Sequence, residues 1–174
     1  MRPNKNDYAP YYEGYINLVK GDDIHKILTA QSIETQGVLN SFSETLGNYA
    51  YAEGKWTVKE VVGHLIDTER VMAYRAMCIA RGEKQSLPGF DQDTYVKTGN
   101  FNKRELFDLN YEFRLLRELN LLLSKGFDEE ILQRRGIANN NEVTVLGLLY
   151  IIAGHEKHHM NILQERYKKS YMRM

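Results

Sequence analysis

Two histidines one helical turn apart, His155 and His159, stand in the run Gly154-His155-Glu156-Lys157-His158-His159. The surrounding segment, 143–167, has the apolar periodicity of a helix. At about 100° per residue, His159 falls only about 40° from His155, inside the stripe set by Leu148, Ile151, Ile152 and Ile162. His158 falls on the edge of that stripe. Glu156 and Lys157 fall off it, which reads Glu156 as solvated. Two imidazoles on one face suit a single metal ion, as in zinc-binding H-x-x-x-H helices. The competing reading of that spacing is a pair of core histidines bonded to polar neighbours, and a third ligand decides between the two. His64 is the candidate. It shares one side of a helix with Thr57, Glu60, Val61, Thr68 and Val71, a mixture that suits the wall of a small cavity.

Three neutral imidazoles would leave an open position on a tetrahedral ion, the arrangement of catalytic rather than sealed sites. Water there could have its pKa brought to around 7 and attack an ester or amide. A substrate thiol there would deprotonate and become the nucleophile of a transfer. Imidazole suits zinc, nickel, copper and iron, and zinc or nickel lead the expectation of one divalent ion. No G-x-S-x-G elbow supplies a nucleophile from the chain itself. A ligating histidine usually donates its other ring N–H to a carboxylate or carbonyl; Asp67 and Glu60 are the nearest helical neighbours of His64, and for Glu60 the capping box is the better explanation. No residue stands out as a general base.

Four helices of about twenty residues are expected to position these groups, an all-α antiparallel bundle whose sites face inward. The first is expected from a cap at Asp22 or Asp23 to about Leu46. The second, central and apolar around much of its circumference, starts at the capping box Thr57/Glu60 and runs to about Arg81. Residues 82–101 form a loop long enough to suggest a lid or pocket wall, with an ordered surface excursion as the alternative. Asn102 and Glu105 repeat the box pattern and open a third helix to about Lys125, with Leu106, Leu109, Phe113, Leu116, Leu119 and Leu123 as its stripe. Asp128 to Leu132 adds a short turn, Asn139-Asn140-Asn141 a connection, and Thr144 the last cap. The segment 1–21, with Tyr8, Tyr11, Tyr12 and Tyr15, reads as an extended arm packed across the outside, with no cofactor role. The tail 166–174 is basic and reads as frayed. The chain is one domain, 1–174, with its bundle over about 22–168.

The 23 Lys and Arg balance the 23 Asp and Glu, so no basic face points to nucleic acid. The single cysteine, Cys78, excludes an intrachain disulfide, reads as a buried structural thiol and fits a reducing cytosol. Residues 1–6 lack the apolar core of a signal peptide, and the longest apolar run, 143–154, is too short to span a bilayer. A cytoplasmic protein with no membrane partner is expected.

The pieces together resemble a family. Trp56-Thr57-Val58-Lys59-Glu60-Val61-Val62-Gly63-His64-Leu65-Ile66-Asp67 is similar to the second-helix signature of the DinB-like superfamily of metal-binding four-helix-bundle proteins. Val143 to Leu146 through Gly154 to His159 resembles the closing helix, and Pro88-Gly89-Phe90-Asp91 the loop of the YfiT-like branch. The resemblance covers about residues 25–167 and implies that His64, His155 and His159 hold one divalent metal, with His158 outside the ligand set. It also implies a metal-dependent hydrolase, or a transferase using a low-molecular-weight thiol, acting on a small-molecule substrate as a homodimer. The alternative is a non-catalytic metal or small-molecule binding dimer in a stress response. The tyrosine arm has no place in the family pattern.

Overall fold

The computed structural model describes residues 1–168. After two single-turn 3-10 stretches come α1 (Glu13–Leu18), α2 (Ile24–Leu39), α3 (Val58–Ala80), α4 (Gln92–Gly99), α5 (Leu106–Ser124), α6 (Glu129–Leu132), a hairpin of β1 (Arg135–Ala138) and β2 (Asn141–Thr144), and α7 (Val145–Ile162), which continues as a π-helical turn to Lys168. The part of the tail at 169–174 lies outside the described residues.

The four long helices, α2, α3, α5 and α7, form the expected bundle. Its neighbours are α2–α5, α5–α3, α3–α7 and α7–α2. The side-chain pairs give the directions. Gln31 meets Ala153 and Thr35 meets Glu156, so α2 and α7 run parallel. Thr57 meets Asn102 and Glu69 meets Arg117, so α3 and α5 are parallel too. The α2/α5 and α3/α7 pairs are antiparallel. The long connection between Ala80 and Leu106 permits this mixed arrangement, because it can carry the chain back to the starting end.

Helix starts follow the expected chemistry in three of four cases. Asp23 caps α2 through the Lys26 amide, Thr57 and Glu60 form their box on α3, and Thr144 accepts from the Gly147 amide on α7. The exception is α5. Asn102 caps nothing there; its amide donates to Glu60 Oε1 and its carbonyl accepts from Thr57, tying the loop to the start of α3. The first amide of α5, at Leu106, is taken by Glu44 instead, from 62 residues away. The first long helix also ends early, at Leu39, and Glu44–Leu46 is a separate 3-10 turn.

Three connections carry more structure than expected. Asn139 and Asn140 adopt positive φ, 50° and 60°, the two-residue turn that joins β1 to β2. The long loop contains α4, capped by Asp91, and Leu87 bridges to Ala138 of the hairpin. The arm at 1–21 is not extended: it folds into short helical turns, and α1 lies on α7. Glycine makes that approach possible, since a Cβ at Gly154 would meet the Tyr15 backbone at 2.2 Å.

Two apolar clusters fill the interior. One gathers Met72, Ala76 and Ile79 with Leu148, Ile151 and Ile152; the other gathers Val61, Leu65 and Phe113 with Met160 and Leu163. Cys78 is half-buried against the first. Between them lies a buried polar layer, in which His64, Glu69, Arg117, His155, Glu156 and His159 all sit.

Candidate metal centre

His64 comes from the second turn of α3, and His155 and His159 from successive turns of α7 facing it. The antiparallel crossing brings the three rings to one point. His64 Nε2 lies 2.9 Å from His155 Nε2, which lies 3.1 Å from His159 Nε2. One ligand atom from each can be chosen so that all fall within 4.8 Å. The rings are 2%, 7% and 9% exposed.

This donor set fits a cation and does not satisfy itself. A neutral ring nitrogen either donates one hydrogen or accepts through one lone pair. His155 Nε2 has two partners of the same kind, so hydrogen bonding can serve only one of them. Nitrogens bound to one tetrahedral ion at about 2.0–2.1 Å stand about 3.3 Å apart, close to the observed spacings. Burial also keeps the rings neutral, as ligation requires. It holds His64 down at about 4 and His159 at about 3. His155 is pushed well below its ordinary value by burial and by the neighbouring His159 and His64.

Those lowered values fix the sign of an acid response. Without metal, the unfolded chain protonates these rings near 6.5, while the folded chain resists until about 4 or below. The unfolded state therefore binds more protons in that window, and stability falls as pH drops through it. The urea midpoint of metal-free protein is expected to fall between pH 7 and 4.5, and to fall less in His159→Leu. A wild-type profile no steeper than that of the variant would contradict this.

Around the rings, two expectations need correcting. Asp67 does not orient His64. Its carboxylate points toward Arg70, 4.0 Å away, and the ring's Nδ1 faces Thr68 Oγ1 at 3.4 Å. One turn on is four residues, not three, so Thr68 stacks over His64 while Asp67 turns toward α5. Glu156 is not solvated but 1% exposed. It points away from the histidines into the bundle, where Thr35 donates to Oε1 and Arg117 Nη2 lies 2.6 Å from Oε2. Arg117 also binds Glu69 through two parallel contacts of 2.8 and 2.6 Å. A residue off the ligand face need not face water in a four-helix ring, because a second neighbouring helix covers that side. Glu60 keeps its capping role, and His158 is half-buried, its ring between those of Tyr15 and His159.

Beside the centre opens a pocket of about 300 Å³, with His155 and Thr68 at its base. Its walls come from Tyr11, Tyr12 and Tyr15 of the arm, from Phe90 of the long loop, and from the hairpin. The long loop is thus a pocket wall. The tyrosine arm, read as outer packing, is one too: the Tyr15 ring lies edge-on to His155 at 5.4 Å. The only sequence signal for this was the clustering of the tyrosines themselves.

Comparisons with known proteins give the family and the fold. The chain belongs to the DinB superfamily, whose family model matches residues 28–163. It is 26% identical over 148 residues to a protein of Oceanobacillus iheyensis provisionally named a metal-dependent hydrolase, covering 80% of this chain and 82% of that one. In fold it is similar to YfiT from Bacillus subtilis, described as a probable metal-dependent hydrolase with an unusual four-helix bundle topology. The TM-score is 0.73 at 14% identity, covering 97% of this chain and 93% of that one. Three buried histidines here could hold a metal. Among the described residues, no helix is long and apolar enough to cross a membrane.

Proposed function

We propose that the protein is a metal-dependent hydrolase in which His64, His155 and His159 hold one divalent ion, zinc or nickel, facing the tyrosine-walled pocket. The observation that carries this reading is the convergence of three buried, neutral imidazole nitrogens that cannot satisfy one another. Such an ion supplies Lewis acidity and lowers the pKa of a nucleophile in its open position. The chain's own residues do the rest. Thr68 fixes the His64 ring, and Trp56 packs 4.7 Å from it. Tyr15, pushed up to about 12 by burial, remains a hydroxyl donor able to bond an oxygen that gains charge. The names of the relatives support hydrolysis.

One observation favours transfer of a low-molecular-weight thiol as the second reading: among the described residues no carboxylate lines the pocket at His155, and the carboxylate nearest the centre by cavity lining, Asp93, belongs to the separate cavity at His159. A thiol needs no carboxylate base once it is deprotonated by the ion. The two are separated by assaying zinc- and nickel-loaded protein against activated esters and amides, and against electrophiles with added small thiols. Turnover of esters or amides without thiol is the expected result. Turnover only when thiol is present would move the assignment to the transferase.

A homodimer in the cytoplasm completes the proposal. Its support is a second apolar stripe on α5 that no other element covers among the described residues: Phe107, Tyr111, Leu115, Leu119 and Leu122 are 73%, 46%, 39%, 64% and 65% exposed. Together they leave on the order of 500 Å² of mostly apolar surface open, at the upper end for a monomer. Leu119, expected in the core, belongs to this outer stripe. The stripe is symmetric about Leu115, so two copies of α5 can pair antiparallel about a two-fold axis. Wild type is expected to elute at dimer mass in light scattering and Leu119→Glu at monomer mass. A monomeric wild type would remove the proposal.

A further inference from the structure

Among the described residues three cationic side chains are buried, and two of them are neutralised. Lys59 pairs with Glu44, and Arg117 with Glu69 and Glu156. Arg75, 3% exposed, has no carboxylate within ion-pair distance among the described residues. One of its amino groups donates to the Pro88 carbonyl, another lies 3.5 Å from the Met72 sulfur, and its Nε is buried without a partner. An unpaired guanidinium out of water costs several kcal/mol on the general scale for buried ions. Anchoring the Pro88 carbonyl requires a donor but not a charge.

The position of this charge is informative. Phe90, with its ring 6.0 Å from the guanidinium, Met72, and Tyr12, whose hydroxyl interacts with it, are three walls of the pocket beside the histidines. The guanidinium therefore sits directly behind that wall. On the pocket side stand tyrosine hydroxyls and side-chain amides, which donate hydrogen bonds, and no acidic group. The remaining lining is aromatic and apolar.

We infer that the pocket selects substrates bearing a carboxylate on an apolar body, with Arg75 supplying the compensating charge and Tyr12 relaying it as a hydrogen-bond donor. This rests on the enzyme reading above and gives it a substrate class: a small organic acid whose reactive group reaches toward His155 while its carboxylate lies against Tyr12. A single cation suits a monoanion better than a phosphate dianion. Arg75 is thus a specificity residue that acts through Tyr12.

The test is calorimetric titration of the full chain with phenylacetate, its neutral isostere phenylacetamide, and inorganic phosphate, in metal-stripped and zinc-loaded protein. In stripped wild type, phenylacetate is expected to bind roughly tenfold or more tighter than the amide. Arg75→Met should erase that preference, and Tyr12→Phe, which keeps the ring packing, should reduce it. Equal affinity for the two probes, no binding of phenylacetate, tighter binding of phosphate, or a preference that survives Arg75→Met would each overturn the inference. A preference seen only with zinc would also overturn it, by assigning the carboxylate to the metal. A protein that keeps the preference but takes up no metal would instead sink the proposed enzyme and leave this inference standing.

Discussion

His155→Ala is expected to weaken metal binding by at least roughly a hundredfold, the largest effect of any single substitution on the site. Zinc held by four side chains is worth about 10–16 kcal/mol, so one ligand accounts for about 3 kcal/mol or more. His155 is the central ring, in contact with both of the others, and its loss leaves a two-nitrogen site. His64→Ala should behave alike, whereas His158→Ala, whose ring packs beside the centre, should retain the metal. The check is thermal unfolding with and without zinc. Ligand bound only to the folded state stabilises by about 4 kcal/mol at a thousandfold excess over Kd. Wild type should gain on this scale, His158→Ala nearly as much, and His155→Ala little. An equal gain in all three would place the metal elsewhere.

Arg117→Met is expected to destabilise the fold by about 3–5 kcal/mol, the largest effect on stability. Arg117 is 1% exposed and holds both Glu69 and Glu156, from α3 and α7, with Asn120 adding a bond to Glu69 and Thr35 one to Glu156. Without the guanidinium, two buried carboxylates face each other unpaired. Burial already raises Glu156 above its usual range. Changing all three members together, Arg117→Met with Glu69→Met and Glu156→Leu, should recover most of the loss, because a well-packed apolar set can replace a buried ionic one. Urea denaturation measures both. A single-variant loss below about 1 kcal/mol would mean that water or a rearranged partner relieves the charges.

The network also touches the metal centre. Glu156 follows His155 directly, so the clamp that fixes Glu156 fixes the rotation of α7 and the aim of its histidines. The triple variant should therefore regain stability without regaining all of its zinc affinity.

The bundle and its metal-competent face were legible in the sequence because they depend on local spacing. The i, i+4 step puts His155 and His159 on one side whatever surrounds them, and the Thr57/Glu60 box closes within four residues. What stayed hidden depends on which helix covers which side. Glu156 looked solvated because a helical wheel shows one buried stripe, and in a four-helix ring α7 meets both α3 and α2. Leu119 looked buried for the converse reason: α5 has two apolar stripes and the bundle covers only one. Asn102 and Glu105 matched a cap pattern, yet Glu44 from a distant turn took the amide. The role of Tyr12 and Tyr15 required knowing that Gly154 lets α1 approach α7 at backbone distance, a contact no local pattern encodes.

The most direct test of the central claim is X-ray absorption at the metal edge of zinc- or nickel-loaded wild type, with metal content measured on the same sample. One ion per chain with three imidazole nitrogens at about 2.0–2.1 Å and an additional light-atom ligand is the expected result. A protein that takes up no zinc or nickel, or an ion bound through carboxylates or Cys78 sulfur, would contradict it.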